Sequence, residues 1–287
     1  ETLDEDGWEM KALRARRSEV EMLLRSHFSK STVSIRWGGS KAKGTMIASS
    51  YDGDMTAYFP HDEVEAGTTL REIYDAVDAS LGTEYTVQRK ASALRILKSG
   101  DDLHFDVVPG RYTDDTKTDV FLHRTTGEKD RLKTDLQVHI DRIRGSGVLD
   151  EIRLMKLWKI RYGLVGVKTF ILELLVVKLL SEKKNLGTSK RLEHVLTELR
   201  DRAESLAVED PANPSGNDLK PLLGEVRWQL QSVAKTTLSQ IEDDGWEAVF
   251  GPLPTSVDEG ENNARKAALG AAVSAVRRPT RPWLPRP

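Results

Sequence analysis

Three acidic residues and a run of small ones carry the chemistry available to this 287-residue chain. Asp52-Gly53-Asp54 spaces two carboxylates two residues apart, and Asp106 stands alone in the apolar run Phe105-Asp106-Val107-Val108. Residues i and i+2 of a strand share one side, so Asp52 and Asp54 on one strand point the same way. A third carboxylate from a neighbouring strand completes a set of hard oxygen ligands for magnesium. Just upstream, Gly38-Gly39-Ser40 reads as a small-residue turn whose backbone N–H groups can cradle a triphosphate, and Gly44-Thr45 repeats that chemistry. Each feature alone has a bland explanation: a turn Asp pair, a strand-edge Asp, a structural Gly-Gly turn. Together they point to nucleotidyl transfer. The spacing is not the G-x-x-x-x-G-K-[ST] of a P-loop, which argues against that class of ATPase.

The elements that must position these residues change character along the chain. Trp8, Leu13, Val20, Leu23 and Leu24 have the spacing of one buried helix face over residues 6–28. Strand patterns follow at 33–37, 55–59, 85–88, 93–97 and 103–108, with a helical period over 69–81 between them. A turn at Ser99-Gly100-Asp101-Asp102 joins two of the strands, and a second hairpin is expected from Asp119 to Leu132. From Thr134 onward helical periods dominate, over 135–144, 149–162, 168–181, 189–208, 218–241 and 261–277. The predicted fold class is α+β, a mixed-sheet catalytic lobe over 1–133 followed by a helical lobe over 134–276. Residues 277–287 form an Arg/Pro-rich tail expected to be extended.

Composition narrows the classes. There is no Cys, so disulfides, thiolate zinc sites and cysteine nucleophiles are excluded. The formal charge of −2 gives no general attraction to nucleic acid or an anionic membrane, and the basic clusters at 11–17 and 183–191 read as solvated helix faces. No apolar run approaches a membrane span, and Glu1 to Asp6 do not resemble a signal peptide, so a cytoplasmic protein is expected. The chain begins without Met, as a trimmed chain would.

Taken together, Gly38-Gly39-Ser40, Gly44-Thr45, Asp52, Asp54 and Asp106 resemble the nucleotidyltransferase pattern of the oligoadenylate synthetase and cyclic GMP-AMP synthase superfamily, which has a polymerase beta-like catalytic lobe. Leu154-Met155-Lys156-Leu157-Trp158 is similar to its "LLKxW" helix, Lys168 to Leu175 to its "KSFxLELL" helix, and Asp210 to Asn217 to its "DPxxPxxN" loop. Thr169 stands where the family usually has Ser, and Asp135 where relatives often have Pro. The absence of Cys rules out the zinc insertion of the animal DNA sensor, so the chain most resembles the bacterial CD-NTases of anti-phage CBASS systems.

The resemblance implies two Mg²⁺ ions, with Mn²⁺ as a substitute, held by Asp52, Asp54 and Asp106, and ATP and other NTPs as substrates. It implies Gly39, Ser40, Thr45, Lys156 and Thr169 as nucleotide-binding residues, with Asp106 helping to deprotonate the attacking ribose hydroxyl. The product would be a cyclic oligonucleotide read by a downstream effector, with a place for a regulatory protein partner and none for a membrane or an extended nucleic acid. Linear 2′–5′ oligonucleotide synthesis, transfer to a tRNA, protein or small molecule, and a non-catalytic nucleic-acid-binding relative remain the alternatives.

Overall fold

The computed structural model describes residues 2–100, 103–127 and 129–252. The helix expected over 261–277 and the Arg/Pro-rich tail lie outside the described residues, as do Asp101 and Asp102 of the expected turn. Seven strands form one mixed sheet: β1 (Ser34–Trp37), β2 (Gly53–Phe59), β3 (Thr86–Arg89), β4 (Leu94–Leu97), β5 (Phe105–Tyr112), β6 (Val120–His123) and β7 (Arg131–Thr134). β2 and β5 run parallel, with Asp54 directly opposite Asp106. β1 flanks β2, β4 pairs with the first residues of β5 and β6 with its last two, all antiparallel, and β3 and β7 lie beyond β4 and β6.

Parallel neighbours need a long crossover, and helix α3 (Leu70–Leu81) begins the one between β2 and β5. It starts on a capping box: Thr69 Oγ1 accepts from the Glu72 N–H at 3.2 Å while the Glu72 carboxylate accepts from the Thr69 N–H at 2.9 Å. Helix α1 (Trp8–His27) buries Met10, Leu13, Val20 and Leu24 in the core of this half. Trp8, expected on that buried stripe, is instead exposed at the first helical position, and Met10 takes its place.

The second half is helical, with α4 (Leu136–Arg144), α5 (Leu149–Arg161), α6 (Thr169–Leu179), α7 (Thr188–Arg202), α8 (Lys220–Gly224), α9 (Arg227–Asp244) and α10 (Trp246–Phe250). Its apolar core is separate from that of the sheet half. α6 lies at the centre, buried at every position from Ile171 to Val177, as a helix apolar on all sides must be. The Trp158 indole N–H donates to Thr237 Oγ1 at 2.8 Å, pinning α5 to α9. Asp135 caps α4 through the N–H groups of Gln137 and Val138, which gives its carboxylate a local purpose at the point where relatives often have Pro.

The mixed α+β architecture is as expected, with three local differences. The Gly38-Gly39-Ser40 turn is the start of a short helix, α2 (Gly39–Lys43). The helix expected over 189–208 ends at Arg202 and continues as a single 3₁₀ turn, Ala203–Ser205. The helix expected over 218–241 is two, because Pro221 opens α8 and Gly224 closes it before α9 runs on to Asp244.

Gly53 shows how tightly the two central strands meet. A Cβ there would lie 2.1 Å from the Phe105 ring, so only glycine fits between the two carboxylates. Gly53→Ala should therefore lower stability by about 1–3 kcal/mol, the usual penalty for overpacking a filled core. Urea unfolding measures this, and Gly53→Ala combined with Phe105→Leu should lose less than the sum of the single variants.

Candidate active site

β2 begins at Gly53, one residue after Asp52, so strand pairing holds Asp54 and Asp106 while Asp52 sits at the strand mouth. In the adjacent strand Arg95 faces Asp106 in register. Arg95 Nε donates to Asp106 Oδ1 at 2.7 Å, and its Nη2 bridges Asp106 Oδ2 and Asp52 Oδ2, both at 3.1 Å. Lys90 Nζ donates to Asp106 Oδ2 at 2.6 Å, and His104 Nδ1 lies 3.7 Å from Asp52. The three acids thus share one sheet edge, and two of them are already paired with cations.

Their acidities differ accordingly. Burial pushes Asp106 up, but the hydrogen bonds and charges of Arg95 and Lys90 outweigh it and hold the carboxyl below its usual value. Asp54 has no such donor among the described residues. Burial, then the charges of Asp106 and Asp52, push it up to about 6, which Lys43 and Lys90 offset only in part.

The small-residue segment lies directly against Asp54. The Gly38 N–H donates to the Asp54 carbonyl at 2.8 Å, extending the β1–β2 ladder. Gly39 has φ +51°, and a Cβ on it would fall 1.8 Å from Asp54 Oδ2, so the backbone approaches this carboxylate as no other residue type could. Ser40 follows on the first turn of α2, partly exposed.

Thr45 and Lys156 meet elsewhere, at the junction of the two halves. Thr45 is fully buried; its hydroxyl donates to Glu173 Oε1 at 2.7 Å and its carbonyl accepts from Lys156 Nζ at 2.6 Å. Glu173, on the central helix α6 with no exposure, also pairs with Lys43 of α2. Arg153 of α5 donates twice to the Gly44 carbonyl, at 2.7 and 3.1 Å. Burial pushes the Lys156 ammonium down to about 8, with Glu173 pulling it up and Lys43 pushing it further down. Thr169 opens α6 and accepts from Lys159 Nζ at 3.2 Å.

The structure therefore brings Asp52, Asp54 and Asp106 together with Gly39 and Ser40 beside them, and turns Thr45 and Lys156 into the lobe junction. Sequence reading did not single out Arg95, Lys90, Lys43 or Arg153. The one available signal was the alternation Leu94-Arg95-Ile96, a basic residue flanked by two buried ones in a strand. A cavity of ≈ 600 Å³ between the β6–β7 hairpin and the 210–217 loop, lined by Lys129, Arg131 and Asn213 among others, does not include the carboxylates.

Among the described residues, no three acidic or imidazole groups already stand as a metal cage, and Asp52 and Asp106 both accept from Arg95. The donor set nevertheless suits a hard divalent ion: all ligating atoms are carboxylate oxygens, and Asp54 is a raised carboxyl without a hydrogen-bond donor among the described residues. Among the described residues, no helix is long and apolar enough to cross a membrane.

No family model matches the sequence, and no curated protein matches it either. Solved structures match in fold. Vibrio cholerae DncV in its GTP-bound form aligns with a TM-score of 0.63 at 19% identity, over 83% of this chain and 75% of that one. The E. coli MS115-1 CdnC:HORMA-deltaN complex gives 0.58 at 20% identity, over 85% and 91%. The Elizabethkingia meningoseptica CdnE cyclic dinucleotide synthase with GTP and Apcpp gives 0.58 at 13% identity, over 79% and 91%. The chain shares the two-lobed nucleotidyltransferase fold of these proteins.

Two outcomes follow from the electrostatics. Glu173→Gln leaves Lys43 and Lys156 without their counter-charge and should cost about 3 kcal/mol or more in urea unfolding. Asp54 works the other way. Its native pKa of about 6 exceeds the 3.8 of an ordinary aspartate, so the native state keeps a proton that the unfolded chain has lost, and stability falls as pH rises between those values. Asp54→Asn should raise the melting temperature of the metal-free chain at pH 7 and flatten that pH dependence.

Proposed function

We propose that this chain is a bacterial CD-NTase, a nucleotidyltransferase that joins NTPs into a cyclic oligonucleotide second messenger. The observation that carries the reading is the in-register pair Asp54–Asp106, with Asp52 and the Gly38–Ser40 segment at the same sheet edge. It is supported by the shared fold, whose neighbours include a cyclic dinucleotide synthase with GTP and Apcpp and CdnC with ATP.

In this reading Asp52 and Asp54 would hold two Mg²⁺ ions, with Asp106 a further ligand to one of them. When bound, such ions neutralise the triphosphate and stabilise the entering and leaving oxygens of an in-line displacement. Ser40 and the backbone around Gly39 contact the β- and γ-phosphates of the donor. A ribose hydroxyl forms the new bond to the α-phosphorus as the bond to the β-phosphate oxygen breaks and pyrophosphate leaves. Asp106, ionised at neutral pH, helps to take the hydroxyl proton. Lys156 acts at the triphosphate end through Thr45 and α2, which its ammonium holds in place, while Thr169 and Lys159 present a hydroxyl and an ammonium at the start of α6. A regulatory protein partner, as in the CdnC:HORMA complex, and a downstream effector in anti-phage signalling complete the proposal.

Incubation with labelled NTPs and Mg²⁺ tests this. A phosphatase-resistant product is expected; phosphatase-sensitive oligomers would make the enzyme a linear synthase, label on another acceptor would make it a transferase to that acceptor, and nucleotide binding without turnover would sink the catalytic reading. Asp106→Ala should abolish synthesis while the protein still melts cooperatively. At limiting Mg²⁺ the rate should fall about tenfold per pH unit below 6, as Asp54 takes up a proton that a metal ion must displace.

A further inference from the structure

The carboxylates at the sheet edge are unequally provided for. Arg95 spans Asp106 and Asp52 with three hydrogen bonds and Lys90 adds a fourth, whereas Asp54 receives none among the described residues. Arg95 is not a mobile surface residue that happens to lie nearby. Its neighbours Leu94 and Ile96 have no exposure, its strand is paired on both sides, and its own side chain is only 11% exposed. The backbone is held on both sides by strand pairing.

We propose that Arg95, assisted by Lys90, is the resident counter-cation of the carboxylate cluster, holding Asp52 and Asp106 together across two strands and competing with divalent cations for their oxygens. The inference rests on the preceding reading that these carboxylates bind such cations. A guanidinium offers a planar fork that engages two carboxylates at once, which an ammonium cannot do. The same oxygens cannot serve Arg95 and a metal together, and a fixed positive charge beside a metal site weakens cation binding. The asymmetry also gives an order. Asp54, without a donor, meets the first ion, and Arg95 is then drawn off Asp52 and Asp106 as the cluster gains positive charge.

Arg95→Gln tests this, because it keeps a polar side chain of moderate length and removes the charge. Mn²⁺ binding to the full chain without nucleotide is followed by the electron paramagnetic resonance signal of the free ion, alongside melting temperatures with and without Mn²⁺. Arg95→Gln should bind Mn²⁺ about tenfold tighter than the parent, and its metal-free form should melt lower, so that the stabilisation by Mn²⁺ widens. Lys90→Gln, which removes one contact at a more exposed position, should tighten binding by a smaller factor and serves if Arg95→Gln fails to fold. Unchanged or weaker Mn²⁺ affinity in a folded variant overturns the inference and leaves the proposed function standing. A parent that binds no Mn²⁺, or binds it equally well as Asp54→Asn, overturns both.

Discussion

Like charges crowded at one sheet edge repel, and the arrangement of the rest of the molecule answers that repulsion. Parallel pairing of β2 with β5 sets Asp54 opposite Asp106, and Asp52 adds a third carboxylate at the strand mouth. Such a cluster persists only where the surrounding structure over-determines it. Here the restraint is packing on the opposite face: Phe105 fills the place that a side chain at Gly53 would need, and Met55 and Val107 continue the same buried row. Charge on one face is thus held in register by apolar contact on the other, while β4 brings Arg95 and the turn before it brings Lys90 to balance it.

The junction of the two halves is electrostatic where their interiors are apolar. Glu173 sits at the middle of a helix among Ile171, Leu172, Leu174 and Leu175, and a buried carboxylate there is tolerable only because Lys43 and Thr45 come to it from the other half. Lys156 and Arg153 reply in the opposite direction, donating to the Thr45 and Gly44 carbonyls. These bonds demand specific angles and distances. They fix how one half sits on the other more narrowly than apolar contact would.

Much of this was legible in residue order. The alternation around Ile35, the β-rich runs at 55–59 and 103–108, and the solitary Asp among buried residues located the strands and the acids that share an edge. What stayed hidden depended on register and three-dimensional approach. The expected turn at 99–102 makes β4 the neighbour of β5, but spacing does not give the register, so Arg95 was one basic strand residue among several until the pairing placed it against Asp106. Gly38-Gly39 reads as a turn because glycine is a poor helix former, yet here it starts α2, where the close approach of Asp54 excludes any side chain. Thr45 reads as a phosphate contact from its Gly-Thr dipeptide, and its burial against Glu173 follows only from how the helical half docks.

α2 is five residues long and fastened at both ends to different bodies. Its start is tied to the sheet by the Gly38 N–H on the Asp54 carbonyl, and its end to the helical half by Arg153 on Gly44 and Lys156 on Thr45. A rotation between the halves therefore pulls on the far end of α2 first. Gly39 and Gly44, both at positive φ, are the torsionally soft joints through which that pull turns the segment. Ser40 rides between them, so its place beside the carboxylates is set by both halves at once.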